Sequence, residues 1–289
     1  MRNLLVIGKT GQLGTALCKD APRFGFEVFA WGRDELDVTK EEQVKEKFVF
    51  CRPDVVINTS AYHVTQDCEK NPQLAMAVNY YAVGRLAEYC HEFGARFVTF
   101  STYSVFDGAS SVPYEEEDAV HPLQMYGISK AAGEYAARHL YPEGSYVIRT
   151  GSLYGGGRKG SSAKGSNFVL GILRQMRNNE RIEVSSEQVA NLTSANDLSD
   201  ATLRLIVSDG RAGIYHLINE GYGRFCDFAE EIGRIIGWKG AIEPVDRGGM
   251  EGTMRRPKFG ALANIKARDA GVILPDWQTS LKTYVREVA

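Results

Sequence analysis

Tyr126 and Lys130 stand four positions apart in Tyr126-Gly127-Ile128-Ser129-Lys130, a spacing that on a helix projects both side chains from one face, one turn apart. A phenol in that place can pass a proton, and an ammonium beside it favours the phenolate. At about 4 Å and an effective dielectric near 20 the attraction is about 4 kcal/mol, or roughly three pKa units, which brings a tyrosine toward working range. Tyrosine and lysine are common enough for the spacing to arise by chance, so the pair needs support. Phe97-Val98-Thr99-Phe100-Ser101-Thr102 supplies it: the run reads as a strand whose carboxyl end delivers the Thr102 hydroxyl to the crevice where open α/β sheets bind ligands.

A second constellation opens the chain. The run Leu4 to Ile7 leads into Gly8-Lys9-Thr10-Gly11-Gln12-Leu13-Gly14, after which Leu13, Ala16 and Leu17 begin a helical stripe. Strand, glycine turn and helix in that order make a phosphate cradle. Glycine permits the tight turn and a close backbone approach to a diphosphate, and the unpaired N–H groups at the start of the helix favour the anion. Gly14 lets helix and strand pack closely. After the second apolar run comes Arg33, placed where an arginine accommodates a ribose 2′-phosphate; this predicts NADPH, with Asp34 behind it leaving NADH open.

These groups need a scaffold, and the chain's alternation supplies one. Short apolar runs at Leu4 to Ile7, Val28 to Trp31, Val55 to Ile57, Phe97 to Phe100 and Tyr146 to Ile148 alternate with helical patterns. That pattern predicts an α/β fold, a doubly wound parallel sheet covered on both faces, carrying a smaller C-terminal α+β substrate domain. Gln73 to Phe93 reads as one helix with a stripe of Leu74, Ala77, Val78, Tyr81, Leu86 and Tyr89. Gly155 to Ser166 is too rich in glycine and serine for a regular element and reads as a mobile loop. Beyond it the sequence predicts a helix from Phe168 to Met176, a strand at Ile182 to Val184, a helix from Asp197 to Val207, a strand from Ile214 to Leu217, and helices from Phe225 to Ile236 and from Trp277. The division is residues 1–151 plus 195–217 for the dinucleotide and 152–194 plus 218–289 for the substrate.

Composition narrows the function classes. With 34 Lys and Arg against 36 Asp and Glu, the net charge of -2 leaves no basic field for nucleic acid. No run is apolar and long enough for a membrane span, and five dispersed cysteines without a CxxC pair fit free thiols in a reducing cytoplasm, with no metal site expected.

Taken together the sequence resembles the extended short-chain dehydrogenase/reductases, and within them the dTDP-4-dehydrorhamnose reductase family, over nearly the whole chain. The wide glycine spacing, Leu36-Asp37-Val38-Thr39, Arg52-Pro53-Asp54, Ser101-Thr102 with Val105-Phe106-Asp107-Gly108, Tyr126-Gly127, Arg149-Thr150, Asn167-Phe168, Arg256-Pro257 and Leu274-Pro275-Asp276-Trp277 carry the likeness. The resemblance implies hydride transfer from NADPH to the C4 ketone of a nucleotide-linked 6-deoxyhexulose. Tyr126 would donate the proton, Lys130 would lower its pKa and hold the nicotinamide ribose, and Thr102 would bond the carbonyl oxygen. The cofactor would also meet Gly8, Thr10, Gly11, Gln12, Leu13, Gly14, Arg33, Asp37, Val38, Ser60, Ala61, Tyr62 and Asn79. The sugar nucleotide would meet Tyr103, Ser104, Thr150, Asn167 and Arg256. A homodimer is a further family expectation.

The family commonly has Ser-Thr-Asp-Tyr where this chain has Ser101-Thr102-Tyr103-Ser104, and a serine where it has Gly260. In the loop after Asn58 the usual acid falls on Gln66, with His63 and Asp67 nearby. Arg158, Lys159 and Lys164 are extra and would be placed to clasp a diphosphate. These departures bear on the substrate more than on the reaction, and leave two alternatives: a reductase or epimerase of another nucleotide sugar, and a non-catalytic NADP-binding regulatory subunit.

Overall fold

The apolar runs become the adjacent strands β1 (Arg2–Ile7), β2 (Phe26–Trp31), β3 (Val55–Asn58), β4 (Arg96–Thr102) and β5 (Ser145–Thr150). The computed structural model describes residues 1–156, 167–208, 210–246, 250–251 and 254–289. A strand at Gly213–His216 joins beyond β5 to complete a six-stranded parallel sheet, in which β5, β4, β3, β1 and β2 follow it in that order. The chain order reverses between β1 and β3, which opens a crevice at their carboxyl ends. Inward-facing residues alternate along β1: Leu4 and Val6 pack into one apolar cluster, Leu5 and Ile7 into the cluster on the other face. Each such side chain contributes about 1.5–3 kcal/mol by leaving water, and this covering of both faces is why the strands read as unbroken apolar runs.

A third cluster lies apart from the sheet. Val169, Ile172 and Met176 on the helix Phe168–Asn178 meet Phe228 and Ile232 on Phe225–Ile236, and Trp277 and Leu281 on Trp277–Val288. The expected strand at Ile182 to Val184 forms within Arg181–Ser185 and pairs in parallel with Ala241–Val245. Residues 157–166 of the expected mobile loop, with Arg158, Lys159 and Lys164, lie outside the described residues.

One element departs from its expected form. The single helix from Gln73 to Phe93 is interrupted: Pro72–Met76 runs into a π turn at Ala77–Tyr81 before Ala82–Phe93 resumes. The wider turn slips the helical face, so Leu74 and Tyr81 of the expected stripe are exposed while Ala75 and Asn79 are buried.

Candidate active site

The cofactor cradle forms as the glycine spacing demands. Gly8 takes a positive φ of 92° after β1, and a Cβ on Gly14 would collide with the Gly8 carbonyl. The helix that follows, α1 (Gln12–Asp20), has Gly11 at its N-cap and no side-chain cap, so its first N–H groups face the crevice uncapped. Asn58, buried at the end of β3, keeps its amide nitrogen without a partner, the donor free for a ligand at the same crevice. Both observations fit a dinucleotide. At the far corner Arg33 is exposed beside the turn that Asp37 closes by accepting from the Thr39 N–H and hydroxyl, and Val38 is buried beneath it. Thr10 and Glu35 flank Gly32, with Glu35 paired to Lys9 at 2.6 Å.

The loop after β3 is clamped by Asn79. Its side-chain oxygen accepts from the Tyr62 N–H at 2.9 Å, and its amide donates to the Tyr62 carbonyl at 2.8 Å and to Ser129 at 2.9 Å. Ser60 donates to Asn58. The π turn thus ties Ser60, Ala61 and Tyr62 to the helix Met125–Leu140, the site helix, which carries Tyr126 and Lys130.

Thr102 ends β4, and there its hydroxyl accepts from the Ser104 N–H at 3.1 Å and lies beside the Tyr126 phenol. Gly127 brings the two elements this close: a Cβ in its place would collide with the Ser104 carbonyl. Gly127→Ala is therefore expected to lower stability by about 1–3 kcal/mol, as overpacking does. It should also lower turnover at substrate saturation by more than tenfold in protein that remains folded. Denaturant unfolding read beside kcat checks this.

The electrostatics correct one expectation. Burial raises the Tyr126 phenol above its ordinary value, Cys68 and then Tyr103 add to the rise, and the Thr102 hydroxyl opposes it; Lys130 is not among these influences. Lys130 is itself pushed down to about 8 by burial, with Glu134 pulling the other way. Glu134, the group that favours the lysine's charge, stands one turn further along the helix. A phenol held protonated still suits reduction, since it keeps its proton until a more basic alkoxide forms.

The substrate-side residues divide. Tyr103 lies beside Tyr126, and its ring fills the space that a Cβ at position 260 would need, so the tyrosine and Gly260 depart from the family pattern together. Gly260 is held in place by its N–H to the Val189 carbonyl at 2.7 Å, which brings the segment containing Arg256 across this end of the sheet. Ser104 is buried. Thr150 is buried too, and its hydroxyl donates to the Leu217 carbonyl at 2.9 Å. Asn167 caps the helix Phe168–Asn178, and its amide lies within reach of Gln12 at 3.1 Å, joining the cradle to the third cluster. Sequence reasoning missed Glu134 and Ser101 as members of the site; their signal is the register that sets Ser101 opposite Arg149. A hollow of about 490 Å³ bordered by Arg96, Tyr141 and Arg211 lies at the amino ends of the strands, away from this chemistry.

A glycine-turn parallel sheet with threonine, tyrosine and lysine brought to its carboxyl ends defines the extended short-chain dehydrogenase/reductase architecture. Residues 1–289 match the RmlD substrate binding domain family, and the chain belongs to it. It is similar to the spore coat polysaccharide biosynthesis protein SpsK of Bacillus subtilis (strain 168), 32% identical over 287 residues, spanning 99% of this chain and 98% of the relative. Likewise it is similar to the dTDP-4-dehydrorhamnose reductase of Streptomyces griseus, 33% identical over 283 residues, spanning 96% of this chain and 91% of the relative. The crystal structure of dTDP-4-dehydrorhamnose reductase from Bacillus anthracis str. Ames in complex with NADP superposes with a TM-score of 0.91 at 27% identity, covering 99% of each chain. Among the described residues no helix is long and apolar enough to cross a membrane, and no cluster of metal-ligating side chains occurs.

Proposed function

We propose that this chain reduces the 4-keto group of a dTDP-linked 6-deoxyhexulose with NADPH, in nucleotide-sugar biosynthesis leading to dTDP-rhamnose. The observation that carries the reading is the Thr102 hydroxyl beside the Tyr126 phenol, with Lys130 one turn further along the helix, on the same parallel sheet that carries the uncapped glycine cradle. NADPH supplies the hydride. Gly8, Thr10, Gly11, Gln12, Leu13 and Gly14 hold its diphosphate, Arg33 its 2′-phosphate, Asp37 and Val38 the adenine side, and Ser60, Ala61, Tyr62 and Asn79 the inner wall. Thr102 and Tyr126 donate to the ketone oxygen, and Tyr126 passes its proton to the alkoxide as negative charge develops there. Lys130 holds the nicotinamide ribose. Tyr103, Ser104, Thr150, Asn167 and Arg256 surround the sugar nucleotide, Thr150 and Asn167 by shaping its walls. In this reading residues 1–151 plus 195–217 hold the cofactor and 152–194 plus 218–289 the sugar.

The experiment is NADPH oxidation with dTDP-, UDP- and GDP-linked 4-keto-6-deoxyhexuloses in parallel. The dTDP sugar is expected to win by at least tenfold in kcat/KM, about 1.4 kcal/mol of transition-state binding. Preference for another nucleotide moves the assignment within the enzyme class. NADPH binding with no oxidation by any of the sugars favours a regulatory subunit.

A further inference from the structure

Gln12 opens α1, and its side-chain oxygen accepts from the Asn167 amide at 3.1 Å, a bond between positions 155 apart in the chain. The same amide donates to the Gly155 carbonyl at 3.1 Å and lies 3.2 Å from the Tyr284 hydroxyl, which donates to that carbonyl at 3.2 Å. Tyr284 comes from the helix Trp277–Val288, so distant segments meet on one side-chain amide, with Asn167 and Tyr284 both buried. The carbonyl they share is itself closely placed: a Cβ on Gly155 would press on the Ala195 side chain. Neither polar group is needed for what its residue does locally. Asn167 caps the helix Phe168–Asn178 with its oxygen alone, which accepts from the Leu170 N–H at 3.0 Å, and a serine would serve there. The Tyr284 ring packs in the third cluster beside Tyr154, with ring centroids 5.1 Å apart, and a phenylalanine would fill the same space. An amide nitrogen and a phenol oxygen are left to explain, and both are aimed at the join with the cradle.

We propose that Tyr284 is a positioning residue that locks the Asn167 amide onto Gln12, and that this bridge couples the binding of NADPH to the binding of the sugar nucleotide. The proposal rests on the reading above, in which the first turn of α1 holds the cofactor diphosphate and Asn167 shapes a wall of the sugar-nucleotide site. One ligand settles on the main-chain N–H groups beside Gln12 and the other beside Asn167. Whichever arrives first fixes the bridge, and the second meets it already in place. Linkage makes the effect reciprocal, so it can be read from either ligand. Tyr284 touches neither ligand in this reading and acts through Asn167, whose amide it holds across the Gly155 carbonyl.

The test is the NADPH dissociation constant with and without a saturating nucleoside diphosphate, which offers the nucleotide of the substrate but no ketone to reduce. dTDP, UDP and GDP are each used, so a base other than the one proposed changes the probe and leaves the test in place. Wild type is expected to bind NADPH about tenfold more tightly with the diphosphate that suits it, within the usual range of coupling between two sites. In Tyr284→Phe that factor should fall below about threefold, while NADPH alone binds within about twofold of wild type. Asn167→Ser keeps a capping oxygen and removes the amide, and it should lose the coupling as well. Thermal unfolding of the same samples identifies the folded variants, and a purely structural role for the phenol would lower Tm and leave the coupling factor where it was. Coupling of wild-type size in either folded variant overturns the proposal, as does a wild type whose NADPH affinity is indifferent to all three diphosphates. Nothing is turned over in this measurement, so a protein that couples the two ligands and yet reduces no 4-keto sugar overturns the function proposed above and upholds the bridge.

Discussion

Tyr126→Phe is expected to lower turnover by about a thousandfold, within the range that one positioned proton donor contributes, and to leave NADPH affinity within about twofold of wild type. The substitution removes only the phenol oxygen. The Thr102 hydroxyl stays oriented by the Ser104 N–H and still donates one hydrogen bond to the ketone, so a residual rate remains. Lys130 keeps its support from Glu134, so cofactor binding does not depend on the phenol. Wild type should also show a particular pH dependence. Burial keeps Tyr126 protonated through neutral pH, so the descending alkaline limb of kcat/KM belongs to Lys130, which loses its charge as pH rises through about 8. Steady-state rates and a separate NADPH titration of the variant decide the matter. Loss of cofactor affinity in step with turnover would give Tyr126 a binding role and remove the basis for calling it the donor.

How much of this site the sequence reveals depends on the distance over which each relation acts. The strands announce themselves because parallel strands covered on both faces are apolar throughout, and the cradle because a tight turn and close packing leave little but glycine at Gly8 and Gly14. Tyr126 and Lys130 are legible through helical spacing alone. What spacing does not convey is desolvation: it suggests that Lys130 lowers the Tyr126 pKa, whereas burial dominates both groups. Glu134, Arg149 and Ser101 look in sequence like unrelated polar residues, and only the β4–β5 register makes them one cluster. Tyr103 and Gly260 are related by volume across a long separation, a pairing that a period of two or 3.6 residues cannot express. The interrupted helix is a similar case, since one wide turn at Ala77–Tyr81 shifts the buried face without leaving a breaker residue within it.

Lys130→Met is expected to abolish reduction and yet make the protein more stable at neutral pH. The ammonium is carried from water into a site where its ordinary value of 10.5 falls to about 8 even with Glu134 beside it. That difference corresponds to about 3 kcal/mol of penalty on the folded state. Below pH 8 both folded and unfolded chains hold the proton, and the full penalty applies. Between pH 8 and 10.5 the folded chain has shed its proton while the unfolded chain keeps it, so the penalty shrinks as pH rises and vanishes above that window. Methionine fills the same space without charge and leaves Glu134 bonded to Arg149 and Ser101. The variant should therefore gain about 2–3 kcal/mol at pH 7, or about 5 °C in Tm, and the gain should fade toward pH 10. Thermal unfolding of both proteins at pH 7 and pH 10 measures it. A variant less stable at pH 7, or a gain that persists unchanged at pH 10, would mean that Lys130 is not a desolvated cation in the folded state. The fading of the gain is the informative part, because added apolar packing alone would be as large at pH 10 as at pH 7. Only a charge retained at a cost to folding, and kept for the reaction, is removed by raising the pH.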